Sequence, residues 1–204
     1  THESIVNNTE TLEKDCIWGD ENSVKTAIID SEMIDRLPAK ILGSTGMDAL
    51  THAVEAYVCK ASNILTDAIA LQAIHLIGSN LLKAAKEHEP DALDAMMAAS
   101  TLAGMAFGNS DVASVHSISE ALGGYYDIPH GVANAMMLAP VSRLSIQGAP
   151  EKYADVAEAL GVDISKMDVF EAANAGVDIM QKLADELEIA HFSDLDIIKP
   201  EDFE

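Results

Sequence analysis

GMDALTHAVEAY, residues 46–57, decides the reading of this 204-residue chain, because it sets Asp48 and His52 four residues apart within a run of small and apolar residues. Residues i and i+4 share one face of a helix, so one carboxylate oxygen and one imidazole nitrogen can be aimed at a single point. Such pairs also arise by chance on solvated faces. Here Ala49, Ala53, Val54 and Ala56 leave little that resembles an exposed charged face. Downstream, VHSISEALGGYYDIPHG (115–131) supplies His116 and His130, the latter held in a turn between Pro129 and Gly131. One aspartate and three histidines would combine an anionic oxygen with three borderline nitrogens. That set suits Fe(II) or Zn(II) better than Mg(II) or Ca(II), and the spacing does not choose between the first two.

Outward from this stretch the apolar spacing is helical. It predicts helices over 45–60, 65–86, 90–107, 111–123, 130–146, 150–160 and 168–188, broken by Pro90, Gly108, Pro129, Gly148-Ala149-Pro150 and Gly161. Gly123-Gly124 and Tyr125-Tyr126 are read as the turn between the two His-bearing elements. Residues 16–35 differ: CIW and VKTAIID are β-rich runs separated by the turn signal Gly19-Asp20-Glu21-Asn22, which predicts strands or a hairpin closed by Leu37-Pro38. The class is therefore mainly α, with a short α/β remnant at the N-terminus.

Composition agrees with a globular piece. The chain is 49% hydrophobic but only 4% aromatic, so the core is expected to be Ala, Leu, Ile, Val and Met, with Met47, Met96, Met97, Met105, Met136 and Met137 as filler. A net charge of −22 argues against nucleic acid or an anionic membrane as partner, since both need a basic footprint. No uninterrupted apolar run reaches the roughly 18 residues of a span, and no signal peptide is recognised, which leads to the expectation of a cytoplasmic protein. Cys16 and Cys59 lack CxxC spacing and are read as half-buried thiols. Residues 101–150 hold only Asp111, Glu120 and Asp127 as acids and Arg143 as a base, whereas 151–204 hold fifteen acids against four lysines. The segment carrying His116 and His130 is thus the least charged part, as a buried cleft wall requires. Glu55, at i+7 from Asp48 on the same face, is read either as a hydrogen-bond partner of a ligand imidazole or as a surface or ion-paired glutamate. His75, His88, His2 and His191 have no partner spacing and are read as structural or exposed.

GMDALTHAVEAY, STLAGMAFGNS (100–110) and HSISEALGGYYDIPHGVANAMMLAPV (116–141) together resemble the metal-binding helical domain of iron-containing (group III) alcohol dehydrogenases, from about Ile29 to Val141. The resemblance implies Asp48, His52, His116 and His130 as metal ligands, NAD(P) as hydride acceptor, and a small alcohol or aldehyde as substrate. It implies a dehydroquinate-synthase-like fold, with residues 1–40 as the trailing edge of a nucleotide-binding α/β domain and linker. Residues 41–204 would be an all-helical metal-binding domain, C-terminally incomplete. Two positions depart from or only partly follow the pattern. Where many members carry a histidine four residues after the third ligand, this chain has Glu120, a candidate catalytic carboxylate for proton relay. Lys14 falls where the family often has a cofactor-contacting lysine. The match covers roughly half of a typical member, and no Gly-rich nucleotide fingerprint is found. A stand-alone metal-binding or interaction module and a metal-dependent hydrolase therefore stay open as alternatives, and a homodimer is expected to cover the cleft wall.

Overall fold

The computed structural model describes residues 3–11 and 13–195, so His2 and the end of the acidic tail lie outside the described residues. Seven α-helices follow a two-stranded hairpin: α1 (Ala39–Val58), α2 (Ile64–Glu87), α3 (Pro90–Phe107), α4 (Ser114–Tyr126), α5 (His130–Ser145), α6 (Pro150–Ala159) and α7 (Val169–Glu186). Helix starts follow local chemistry. Asn63 and Asp168 cap α2 and α7 in reciprocal capping boxes with Thr66 and Glu171, while Pro90 and Pro150 open α3 and α6.

The middle of α1 is buried nearly all round, with Met47, Leu50, Ala53, Val54 and Ala56 fully enclosed, as befits a helix with neighbours on several sides. It packs on α2 and α3 along one flank and on α5 along another, and α4 packs on α5. Helices α6 and α7 pair and close the far side against α5. Glycines set the closest approaches. A β-carbon on Gly46 would lie 2.3 Å from Leu81 Cδ1, and one on Gly131 would lie 2.6 Å from the Ser44 carbonyl oxygen, so α5 starts directly against the α1 backbone. The Lys152 ammonium ties α6 to the end of α1, donating to the Tyr57 carbonyl at 2.5 Å and to Ser62 Oγ at 2.6 Å.

Three expectations need correction. First, α1 begins at Ala39, six residues before the predicted start, because Gly43 and Gly46 are packing positions against Leu187 and Leu81 rather than breaks. Second, Gly123-Gly124 and Tyr125-Tyr126 belong to α4. The turn is Asp127, in the left-handed region at φ 55°, and a β-carbon on Gly123 would meet Lys14 and the Ile128 carbonyl, so tertiary packing overrides glycine's low helix propensity. Third, VKTAIID forms no strand. The hairpin pairs β1 (Glu3–Asn8) antiparallel with β2 (Glu13–Trp18), so CIW is the end of β2 and its partner lies before it. The smaller readings also divide: Met47, Met96, Met136 and Met137 are buried, but Met105 is half exposed, and Cys16 is exposed while Cys59 is half-buried. His75 is exposed, and His88 caps α2 and donates from Nε2 to the Leu37 carbonyl at 2.9 Å. His191 is an exposed N-cap beside Asp185. Among the described residues α2 is the one helix long and apolar enough to cross a membrane, and a third of its apolar window is buried inside the fold.

Candidate metal centre

Asp48 and His52 project from the middle of α1, His116 from the first turn of α4 and His130 from the first residue of α5. Three helices thus converge on one point. One ligand atom each of Asp48, His52 and His116 lies within 4.8 Å of the others. Asp48 Oδ1 stands 3.5 Å from His130 Nε2 and 3.9 Å from His116 Nε2. Four donors about 2.1 Å from a tetrahedral ion would be about 3.4 Å apart; the Asp48–His130 and Asp48–His116 separations are near that value, while His130 lies outside the mutual group of Asp48, His52 and His116. All four residues predicted from the sequence are brought together.

The rings are oriented by their other nitrogens. His52 donates from Nδ1 to the Asp48 carbonyl oxygen at 2.9 Å, and His116 donates from Nδ1 to Glu55 Oε2 at 2.7 Å. With Nδ1 engaged, Nε2 is the nitrogen each ring has left for a metal, and a carboxylate behind a ligand imidazole also raises its basicity. Glu55 is only 2% exposed and accepts further hydrogen bonds from the backbone N–H of Val115 at 2.6 Å and of His116 at 3.3 Å. It therefore caps the start of α4 from α1. Burial pushes its carboxyl up, but the hydrogen bonds from His116 and the backbone around Ala113 and Val115 outweigh that and hold it below the usual range.

The site favours neutral imidazoles. Burial, partly offset by the Asp48 carboxylate, depresses His52 to about 4, and burial likewise lowers His130. His52 is packed between Phe107 and His116, with ring centroids at 4.4 and 4.2 Å. The buried Nδ1 of His130 has no hydrogen-bond partner among the described residues. Lone pairs converging from uncharged rings onto one carboxylate are what a divalent cation needs, and the residues fit such an ion.

Glu120 lies one turn after His116 on α4, half-buried, and its charge reaches His130. Lys14 comes from β2: its ammonium rests 2.9 Å from where a β-carbon of Gly123 would be, and its charge also acts on His130. Both candidates from the sequence therefore stand at the rim of the centre. Sequence reasoning missed Asn134, fully buried on α5, whose amide reaches Asp48, His116 and His130. Its only sequence signal is the i+4 spacing from His130.

A carboxylate and three imidazoles drawn from three helices give this helical domain a candidate metal centre. Residues 43–204 match the model of the Fe-containing alcohol dehydrogenase family, C-terminal, and the chain belongs to that family. It is 42% identical over its whole length to 1,3-propanediol dehydrogenase of Klebsiella pneumoniae, covering 53% of that protein. It is 37% identical over 86% of its length to lactaldehyde reductase of Escherichia coli K12, covering 46%. The crystal structure of a 1,3-propanediol oxidoreductase superimposes over all of this chain and 53% of its own at a TM-score of 0.95 with 42% identity, and the Oenococcus oeni alcohol dehydrogenase does so at 0.95 with 34%. The chain spans about half the length of the curated relatives it matches.

Proposed function

We propose that this chain is the metal-binding portion of an iron-dependent, NAD(P)-linked alcohol dehydrogenase or aldehyde reductase acting on a small primary alcohol, diol or aldehyde. The convergence of Asp48, His52, His116 and His130 is the observation that carries the reading. Fe(II), or Zn(II) in its place, would be held by those four residues and would supply Lewis acidity toward the substrate oxygen. The chain's own residues do the rest. Glu55 and the Asp48 carbonyl lock the ring orientations of His116 and His52. Phe107 shields one face of His52 from water. Glu120, at the rim, accepts the hydroxyl proton and passes it to solvent while hydride leaves the adjacent carbon for the nicotinamide. The balance is alcohol plus NAD(P)+ to aldehyde plus NAD(P)H plus one proton. Lys14 contacts the cofactor, whose domain residues 1–40 would close off. The relatives named for 1,3-propanediol and lactaldehyde favour a small, hydroxylated substrate. The net charge of −22 supports a protein with no nucleic-acid or membrane partner, and we place it in the cytoplasm as a homodimer.

The test is metal content by mass spectrometry on anaerobically purified protein, parent beside His130→Ala, with NADH- and NADPH-dependent aldehyde reduction assayed on the same samples. Near-stoichiometric iron or zinc, lost in the variant together with turnover, is the expected result. Parent protein that takes up neither metal would refute the reading.

A further inference from the structure

The Asn134 carboxamide touches three of the four proposed ligand side chains, and its contacts are those of a cation surrogate. Its Nδ2 lies 2.5 Å from Asp48 Oδ1, 3.1 Å from His116 Nε2 and 3.1 Å from His130 Nε2. Its Oδ1 accepts a short hydrogen bond from Ser119 Oγ, itself fully buried. This orientation is chemically required. Turned over, the amide oxygen would press its lone pairs against the Asp48 carboxylate; in the observed orientation one of the two NH2 hydrogens serves Asp48 and the other is shared between His116 and His130. Asn134 has no exposed surface, so water does not compete for the amide.

The same contacts make the amide incompatible with an ion in its present place. Nδ2 sits 2.5–3.1 Å from three of the proposed donor atoms, in the space an ion held by them would take, and an amide nitrogen has no free lone pair with which to ligate. We propose that Asn134 is an internal placeholder: in the metal-free protein its NH2 group bridges Asp48, His116 and His130 and keeps the site assembled, and metal entry displaces it. The inference rests on the metal reading of the four ligands given above. It assigns Asn134 as a positioning residue that stabilises the empty site selectively. Loading then exchanges hydrogen bonds for coordination without the donors having to be gathered first.

The test uses Zn(II) as the probe. Nitrogen-15 spectra of the metal-free chain should show a displaced, exchange-protected side-chain amide pair for Asn134. One equivalent of Zn(II) should shift that pair, or abolish its protection, in step with the ring signals of His52, His116 and His130. Asn134→Ala and Asn134→Ser should lower the melting temperature of the metal-free protein while leaving the zinc-loaded protein near the parent value. By the thermodynamic cycle they should also bind Zn(II) at least tenfold tighter in chelator competition. An Asn134 amide pair that stays put while the ring signals shift would overturn the placeholder alone, as would variants destabilised equally with and without zinc. Ring signals that do not respond to zinc would overturn the metal reading and the placeholder with it. The spectra of the parent decide the matter even where a variant fails to fold.

Discussion

Glu55 carries more of the site than its position off the ligand set suggests. It fixes the His116 ring through Nδ1 and holds the first backbone N–H groups of α4, so one carboxylate sets both the ligand's orientation and the place where its helix begins. Glu55→Gln keeps the shape but loses the charge that raises imidazole basicity, and is expected to weaken Zn(II) binding about 10- to 100-fold in chelator competition. His52 gives a pH dependence. Burial holds its folded value at about 4, below the ordinary 6.5, so the folded state binds fewer protons than the unfolded chain between those values. Its contribution to stability is complete above pH 6.5 and is lost as pH falls toward 4. The melting temperature of metal-free protein should therefore drop between pH 7.5 and pH 5, and less steeply in His52→Asn. At this scale the sequence is legible where geometry is local. Asp48, His52 and Glu55 share a helix face that the i, i+4 and i+7 spacing announces. His116 and His130 became legible only through the motif around them, because spacing along a chain does not say where two helices cross. Asn134 was missed because its i+4 spacing from His130 means nothing until its neighbours in space are known.

Elements were legible in kind and less so at their ends. Every helix predicted is present, but those boundaries that moved did so where glycine serves contact rather than interruption. Gly131 makes the point quantitatively. Alanine there is the better helix former by about 1 kcal/mol, yet its β-carbon would meet the Ser44 carbonyl at 2.6 Å. Relief requires α5 to slide from α1, carrying His130 away from Asp48. Gly131→Ala is expected to cost about 1–3 kcal/mol in chemical denaturation despite the propensity gain, and to weaken Zn(II) binding in the same protein. A gain in stability would show that the helix end yields freely. The hairpin was half legible. CIW is a strand end as expected, but the turn signal at Gly19 only ends β2; the hairpin's own turn lies between Asn8 and Glu13, and its partner β1 is rich in polar residues and lacks the apolar run that marks a buried strand.

At the scale of the whole molecule, the ligands bind regions distant in sequence. Asp48 and His130 are held together by packing of α1 on α5, with α2 and α3 between them along the chain but outside the ligand set. An ion that binds only the assembled state should raise stability by about 2.7 kcal/mol at a free concentration 100 times its dissociation constant. Thermal unfolding with and without Zn(II) should show that rise in the parent and none in His130→Ala. The acidic excess of 151–204 lies, over its described part, mostly on exposed positions of α6, α7 and their connections, and Asp178 of α7 pairs with Arg143 of α5.

The short connection between α3 and α4, residues 108–113, divides the ligand set evenly. Everything before it supplies Asp48, His52 and Glu55, and everything after it supplies His116, His130 and Asn134. A chain cleaved there would yield two pieces, each with two of the four ligands and neither able to chelate well alone. Reunion of the pieces should then be metal-gated, so that size-exclusion chromatography of the mixed halves shows a complex with Zn(II) and separate species once a chelator is added.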